Sequence, residues 1–81
     1  MVTVRYFAHL KEVVGVESEE IEWDGGDLDA LLDLLDGRGR GFSAFRASRP
    51  ILCAVNQEYS EGGAPVRDGD EVALFPPVSG G

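Results

Sequence analysis

The sequence closes on the segment Glu71-Val72-Ala73-Leu74-Phe75-Pro76-Pro77-Val78-Ser79-Gly80-Gly81, and this segment decides how the rest is arranged. Its first half is an apolar run ending at Phe75, which predicts a buried strand. Proline has no backbone N–H, so the sheet ladder is expected to stop at Pro76. We therefore predict a folded domain over residues 1–75 and an extended tail over residues 76–81.

The predicted tail is stiff where it leaves the domain and slim at its tip. Pro76 and Pro77 restrict the backbone, and the residues after them, Val78, Ser79, Gly80 and Gly81, have small side chains. Six extended residues reach at most roughly 20 Å. Because glycine has no Cβ, the backbone can approach a surface closely and the last carbonyl is open to attack. Such a tail can place a carboxylate in a narrow channel of another protein.

Composition narrows the classes of protein to which the chain can belong. With 81 residues, 43% of them hydrophobic, it is one small globular domain. A formal net charge of −8 argues against nucleic acid and acidic membranes as partners. It fits a basic protein partner or solubility alone. No apolar run approaches the ~20 residues of a membrane span. One cysteine excludes an intramolecular disulfide, and without a signal peptide the cytoplasm is expected.

Alternating apolar residues predict the strands. Residues 2–7 and 20–23 alternate, with Ile21 and Trp23 expected to face inward, and the run 51–55 is expected to be a central strand. In the first strand Val2, Val4 and Tyr6 form the better core face, which leaves Phe7 on the outer face. In the last strand the same alternation turns Phe75 outward. Two outward aromatic residues would form a patch if the first and last strands are neighbours.

One long helix is expected between the second and third strands. Asp27 is a good N-cap, and Gly37 is expected to end the helix. Leucines at 28, 31, 32 and 35 recur at the spacing of one helical stripe. A shorter helical turn is predicted around Leu10 and closed by Gly15, and Phe42 and Phe45 are expected to anchor a turn over the core. This order predicts an α+β fold, a mixed sheet of about five strands with one main helix packed across it.

A catalytic residue set is not found in the sequence. The chain has one histidine, His9, and one cysteine, Cys53, which is expected to be inert packing within a strand. The acidic residues show no metal-binding spacing, so no metal site and no tightly bound cofactor are predicted. The remaining chemical group is the Gly81 carboxylate. It is inert as an acyl group until an enzyme gives it a good leaving group, for example as an acyl-adenylate. A sulfur nucleophile would then yield a thiocarboxylate, and a protein amine would yield an isopeptide.

The chain resembles the small subunit of molybdopterin synthase, the sulfur-carrier family of molybdenum cofactor biosynthesis. Three segments carry the resemblance: Val4-Arg5-Tyr6-Phe7-Ala8 with Leu10 to Gly15, Ala54-Val55-Asn56-Gln57, and Asp68-Gly69-Asp70 through to Gly81. The last segment is highly specific, whereas residues 24–49 contribute little. The resemblance spans essentially the whole chain.

The resemblance implies a ubiquitin-like β-grasp fold and a chemistry for the tail. It implies that a ubiquitin-activating-type adenylyltransferase consumes ATP to adenylate Gly81, and that a sulfur donor such as a cysteine desulfurase or a rhodanese supports conversion to the thiocarboxylate. The tail, Pro76 to Gly80, would insert into a larger catalytic subunit and deliver sulfur to cyclic pyranopterin monophosphate, building the molybdopterin dithiolene. Two small and two large subunits would form a heterotetramer. The chain itself would supply no catalytic machinery.

The resemblance also implies partner-docking residues around the tail, which by position are Phe7, Tyr59 and Phe75. For Phe7 and Phe75 this agrees with the alternation of the strands, whereas Tyr59 rests on the resemblance alone. Other functions share the same tail chemistry. These are a sulfur carrier for thiamine, tRNA thiolation or cysteine synthesis, and a ubiquitin-like modifier joined to lysines. A plain acidic binding module is a further alternative.

Overall fold

The computed structural model describes residues 1–77. The chain forms seven strands and three helices over this range: β1 (Val2–Tyr6), α1 (Ala8–Val14), β2 (Ser18–Ile21), β3 (Gly26–Asp27), α2 (Leu28–Gly37), α3 (Phe42–Ser48), β4 (Leu52–Val55), β5 (Glu58–Ser60), β6 (Pro65–Val66) and β7 (Glu71–Phe75).

Five strands form the main sheet in the order β2-β1-β7-β4-β5. The strands β1 and β7 pair in parallel, with Val4 opposite Val72, and the other neighbours are antiparallel. The predicted mixed five-stranded sheet is therefore confirmed. The centre of the sheet is β7, however, and not the strand over residues 51–55, which lies beside it as β4. The chain thus leaves the domain from the central strand.

A two-stranded sheet, β3 with β6, holds the start of α2. Gly26 lies opposite Val66, and the backbone N–H groups at the helix start donate to the carbonyls of Ala64 and Gly62, both at 2.9 Å. The Asp27 side chain accepts from the Ala30 N–H at 2.9 Å, which confirms the predicted N-cap. These bonds satisfy the first amides of α2 and fix where the helix crosses the sheet.

The core lies between one face of the main sheet and the helices. The predicted leucine stripe of α2 is buried, as are the inward residues of β1 and β7. The largest fully buried side chains are Tyr6, Phe42, Leu10, Ile21, Leu28, Leu31, Leu35, Leu74, Val2, Val4, Val66 and Val72. Every predicted core residue of the first strand, the main helix and the last strand is therefore confirmed.

Two local predictions differ from the structure. The second strand runs over Ser18–Ile21 and ends before Trp23, which is only partly buried and donates its indole N–H to the Val66 carbonyl at 2.9 Å. The indole has a polar tip that needs a partner, and the short sheet offers one. Phe42 and Phe45 are buried as expected, but they lie in a seven-residue helix, α3, and not in a turn.

A polar network ties the Gly-Arg loop after α2 to β1 and β2. The buried Tyr6 donates its hydroxyl to Glu19 at 2.5 Å, and Arg40 binds both oxygens of the same carboxylate at 2.6 and 3.2 Å. Burial raises the pKa of Glu19, but hydrogen bonds from Arg40 and Tyr6 and the charges of Arg40 and Arg38 outweigh it. The pKa of Glu19 therefore lies below its ordinary value of 4.5.

This network predicts a specific loss of stability in acid. A carboxyl group whose pKa is lowered on folding adds stability above its unfolded pKa, and that stability is lost as the pH falls through the folded pKa. We expect Glu19→Gln to reduce the difference between the free energies of unfolding at about pH 7 and about pH 3, measured by urea titration. The exposed Glu22 provides the control, because Glu22→Gln should leave that difference nearly unchanged. Equal effects of the two substitutions would contradict this account of Glu19.

The hairpin between β4 and β5 turns on Asn56 and Gln57, whose φ angles are 50° and 73°. Two successive positive φ values between paired strands are typical of a type I′ turn, for which Asn-Gly is the best sequence. Asn56 is also held by its side chain, which donates to Asp70 and accepts from the Glu71 N–H, both at 2.9 Å. The Gln57 side chain makes no comparable hydrogen bond among residues 1–77. Nothing in that range therefore offsets the steric free-energy cost of its positive φ angle.

We expect Gln57→Gly to stabilise the protein by about 1 kcal/mol, because glycine adopts positive φ without steric cost. Chemical denaturation with a constant m-value measures this change. Gln57→Ala is the matched control, since it removes the same polar group and keeps the Cβ that causes the strain. Stabilisation by alanine equal to that by glycine would show that the backbone conformation is not the cause.

Candidate functional site

The central strand β7 brings the tail to one end of the domain. Pro76 and Pro77 follow Phe75 directly, are half-buried and lie outside regular structure. The ladder therefore ends at Phe75, where the sequence placed its end. The other predicted tail residues, Val78, Ser79, Gly80 and Gly81, lie outside the described residues, so their predicted roles stay predictions.

Three aromatic rings cluster where the tail departs. The ring centroids of Phe7 and Phe75 are 5.3 Å apart, and those of Tyr59 and Phe75 are 6.0 Å apart. Leu52 lies opposite Phe75 in the β4–β7 register. We call the surface formed by Phe7, Leu52, Tyr59 and Phe75 the aromatic face. It lies on the side of the sheet opposite the core, because Leu52 and Phe75 alternate with buried residues along their strands, Phe7 follows the buried Tyr6, and the Tyr59 ring lies against Phe75.

Backbone bonds on both sides fix Phe7 in this cluster. Its N–H donates to the Leu74 carbonyl at 3.1 Å, which extends the β1–β7 pairing by one residue, and its own carbonyl accepts from the Lys11 N–H at 3.4 Å. Between these bonds the chain turns sharply, since Ala8 has a φ of 52°, an uncommon value for a residue with a Cβ. The turn directs the chain into α1 and leaves the Phe7 ring beside Phe75.

The aromatic face is unusually open to solvent for such apolar residues. Tyr59 is 80% exposed, Leu52 38% and Phe7 36%, whereas the inward residues of the same sheet are essentially buried. A compact cluster of large apolar side chains on a small acidic domain marks an interaction surface more often than a solvated one. The aromatic face is therefore a candidate docking surface at the root of the tail.

Small side chains make a shallow groove beside the rings. Ala54 and Ala73 lie opposite each other across β4 and β7. Their small side chains leave a depression in the outer face of the sheet between Phe75 and Tyr59. The groove has a volume of about 230 Å³, and a second one of about 350 Å³ runs from the rings to Ala8, Pro76 and Pro77. A partner side chain can enter between the aromatic rings and still contact the first residues of the tail.

A charged border limits the aromatic face on one side. The Arg5 guanidinium lies over the Phe7 ring at 5.2 Å from its centroid and approaches Glu71 at 3.5 Å. Both charged side chains are about 43% exposed, so their pairing adds little stability. The Arg5 group lies beside the ring, where it can add a polar contact at the rim of an interface.

A larger cavity adjoins the aromatic face at Leu52 and Tyr59 and is less suited to be the site. It has a volume of about 840 Å³ and opens between α2 and β5, with Asp29 and Glu61 among its lining residues. The cavity is wide, and its lining includes the carboxylates of Asp29 and Glu61 and the buried thiol of Cys53. The aromatic face is the better candidate because it adjoins the tail.

The described residues supply no separate reaction centre. Burial raises the pKa of the Cys53 thiol to about 11, so the reactive thiolate is scarce at neutral pH, which agrees with its predicted packing role. His9 is exposed and pairs with Glu12 at 3.1 Å. Within residues 1–77, no group of three His, Cys, Asp or Glu side chains could hold a metal ion. In the same range no helix is long and apolar enough to cross a bilayer.

The geometry bears on the site residues predicted from the sequence. The expectation that Phe7 and Phe75 point outward from neighbouring strands is confirmed, and Tyr59 lies with them. Leu52 was missed. Its exposure and its place opposite Phe75 in the β4–β7 register show that it faces outward. The docking role of these residues stays a prediction.

The chain matches the model of the ThiS family over residues 4–81. It is 36% identical over 81 residues to the molybdopterin synthase sulfur carrier subunit of Escherichia coli, with both chains fully covered. It is also 39% identical over 85 residues to the human protein of the same name, covering 99% of this chain and 93% of that protein.

Solved structures with a similar fold come from related proteins. The putative molybdopterin converting factor subunit 1 of Pyrococcus furiosus has a TM-score of 0.81 and 32% identity, covering 95% of this chain and 97% of that one. SAMP1 of Haloferax volcanii has a TM-score of 0.79 and 31% identity, covering 99% and 98%. A complex of subunits 1 and 2 of the molybdopterin-converting factor of Helicobacter pylori matches with a TM-score of 0.68 and 27% identity, covering 99% and 97%. The five-stranded mixed sheet, the main helix and these similarities together place the chain in the ThiS family of ubiquitin-like β-grasp proteins.

Proposed function

We propose that this chain is the sulfur carrier subunit of a molybdopterin synthase. The observation that carries the proposal is the aromatic face at the root of the tail, on a chain homologous over its full length to proteins of that name. The domain then docks to a partner through Phe7, Tyr59 and Phe75, and the tail carries the carboxylate that reacts. This division fits a domain whose described residues include no metal cluster and no reactive thiol.

The proposed chemistry takes place at the Gly81 carboxylate in two steps. In the first, a carboxylate oxygen attacks the α-phosphate of ATP on an adenylyltransferase, pyrophosphate leaves, and the acyl-adenylate forms. In the second, the terminal sulfur of a persulfide on a donor such as a cysteine desulfurase or a rhodanese attacks the acyl carbon, and AMP leaves with the former carboxylate oxygen. A thiol then reduces the resulting acyl disulfide and forms a disulfide with the donor cysteine. The product is a thiocarboxylate. ATP is consumed by the activating enzyme and is not bound by this chain.

The proposed acceptor is cyclic pyranopterin monophosphate in the large subunit. Residues 76–81 would reach into that subunit, with Pro76 and Pro77 keeping the root of the tail extended. Two such deliveries supply the two sulfur atoms of the molybdopterin dithiolene. The Helicobacter pylori complex of subunits 1 and 2 supports a large-subunit partner for this chain. Assembly as a heterotetramer and a cytoplasmic location are parts of the proposal that rest on the resemblance and on the sequence.

A ubiquitin-like modifier is the second candidate, and the similarity to SAMP1 favours it. Both functions require activation of Gly81. They diverge at the nucleophile that attacks the activated carbonyl, which is a sulfur atom for the carrier and a lysine amine for the modifier. Carriers for thiamine, tRNA thiolation or cysteine synthesis differ at a later step still. The proposal is therefore tested at Gly81 first and at the aromatic face second.

Sulfur loading should depend entirely on Gly81. We expect incubation with the activating enzyme, ATP and a sulfur source to raise the intact mass by the difference between sulfur and oxygen. Deleting Gly81, or adding one residue after it, should abolish this gain and the synthesis of molybdopterin, because the reacting carbonyl is moved. Both variants should keep the melting temperature, since neither changes a described core residue. A fully active extended protein would overturn the proposal, and lysine adducts without sulfur loading would favour the modifier.

Phe75→Ala should weaken binding of the large subunit by about 1–3 kcal/mol, the range expected when an anchor at the centre of an interface is truncated. Titration calorimetry with the purified large subunit measures this change. The loss of folding stability should be smaller than for the control Phe42→Ala, because Phe42 is 2% exposed and its truncation leaves a cavity that costs about 3–5 kcal/mol. Unchanged binding with a large loss of stability would assign Phe75 to the core.

A further inference from the structure

We infer that Arg5 selects the partner of the aromatic face by pairing with an aspartate or glutamate carboxylate on the large subunit. The inference rests on the proposed function, because it concerns the subunit that covers this face. It starts from the distribution of charge over the main sheet. Arg5 is the only basic residue in the five strands, whereas β2, β5 and β7 contribute glutamates. A partner that docks on the outer face therefore meets one isolated cation.

The fold places the Arg5 guanidinium at the border of the aromatic face. Arg5 lies opposite Ala73 in the β1–β7 register, and Phe7 comes two residues later on the same side of the sheet. The guanidinium lies 5.2 Å from the centroid of the Phe7 ring. Arg5, Ala73 and Phe75 also line the same groove of about 230 Å³. A partner that covers Phe7 therefore covers this guanidinium as well.

The guanidinium needs acceptors that the chain does not provide within residues 1–77. In this range it makes one hydrogen bond, to Glu71 at 3.5 Å, which is long for a hydrogen bond. An arginine side chain has five N–H donors, and the partly exposed position of Arg5 lets water accept from the others. A docked partner removes this water. Donors that are then left without an acceptor would weaken the complex.

A carboxylate is the acceptor that best fits this position. The planar guanidinium presents parallel N–H groups, and one carboxylate can accept from two of them at once. The small side chains of Ala54 and Ala73 leave room in the groove for the stem of an aspartate or glutamate. The chemistry and the shape of the groove therefore point to an acidic side chain of the partner.

The isolated cation gives selectivity because the rest of the chain attracts basic surfaces. With a formal net charge of −8, the chain is steered toward basic proteins in general. A basic surface that brings no carboxylate to Arg5 would place like charges together or leave the guanidinium unpaired. Such a partner is disfavoured, whereas a large subunit with an acid at this place is accepted.

Binding kinetics with the purified large subunit test this inference. Arg5→Met removes every N–H donor of the side chain and keeps an unbranched apolar stem beside Phe7. We expect the dissociation constant to rise at least about tenfold, the factor that corresponds to a lost hydrogen bond to a charged group. The dissociation rate should account for most of this rise, because the lost contact exists only in the complex. Arg5→Lys keeps the charge without the planar fork and should recover only part of the affinity.

Two further substitutions separate the local contact from general charge effects. Arg67→Met removes the same charge from an exposed residue in the turn before β7, far from the tail, and should leave the dissociation constant nearly unchanged. Glu71→Gln removes the competing carboxylate and should bind at least as tightly as Glu20→Gln, which removes the same charge from β2. Thermal melting confirms that each variant is folded.

A double-mutant cycle identifies the partner's group. Each exposed aspartate and glutamate of the large subunit is changed in turn to asparagine or glutamine. One of these changes should weaken binding of the native chain but cause no further loss with Arg5→Met, because the two groups act as one pair. Coupling with none of them would show that the acceptor is not a carboxylate and would overturn the inference.

The inference is also overturned if Arg5→Met binds as tightly as the native chain, or if Arg67→Met loses as much affinity. An equal loss with Glu71→Gln would assign the effect to the internal pair and have the same consequence. The proposed function is judged separately, by binding of the native chain to the large subunit and by sulfur loading. Native binding with an unaffected Arg5→Met variant keeps the carrier and removes this role of Arg5. A native chain that does not bind the large subunit overturns both.

Discussion

The parallel pairing of β1 with β7 is the constraint on which the rest of this structure depends. The two strands lie at the two ends of the sequence, and their register, with Val4 opposite Val72 and Tyr6 opposite Leu74, joins them at the middle of the sheet. Parallel neighbours cannot be joined by a tight turn, so everything between them must form the crossover. The main helix, the outer strands and the short second sheet are all parts of that connection. The same pairing puts Phe7 and Phe75 side by side, because Phe7 directly follows β1 and Phe75 ends β7.

The position of the site follows from a difference between the two faces of the main sheet. One face is covered by helices and carries the stability of the domain. The other face is bare, and its apolar residues gather at the end where the tail leaves. A small domain cannot bury every large side chain, so apolar residues that are exposed singly need no binding partner to explain them. Four large apolar residues from four different strands or strand ends at one place are better explained by a partner that covers them.

Two polar networks fix segments of the crossover connection that lie outside the hydrophobic core. Glu19, Tyr6 and Arg40 fix the glycine-rich loop after α2 against the second strand. At the far end of the sheet, Asn56 and Asp70 join the β4–β5 hairpin to the start of β7. The second network lies at the end of the sheet opposite the tail, whereas Tyr6 of the first lies opposite Leu74 near the tail, on the core face. On the outer face at the tail end the contacts are aromatic, and a docking partner can share them without breaking buried hydrogen bonds.

The sequence by itself determined the elements that rest on local chemistry. Leucine spacing with an aspartate N-cap defined α2, alternation defined β1 and β7, and two prolines defined where β7 stops, because each of these signals depends on neighbours within a few residues. Alternation also turned Phe7 and Phe75 outward. The specific ending at Gly81 pointed to the family and to the proposed chemistry.

Only the tertiary structure decided which strands are neighbours, and with them the composition of the aromatic face. The central place of β7 depends on pairing with β1 at the other end of the sequence, and the outward position of Leu52 and the contact of Tyr59 with Phe75 depend on register between segments about 15 to 25 residues apart. Trp23 left its predicted strand because a carbonyl in β6, far along the chain, satisfies its indole N–H. Long-range pairing is chosen by the total burial of the core, and no local pattern carries that information.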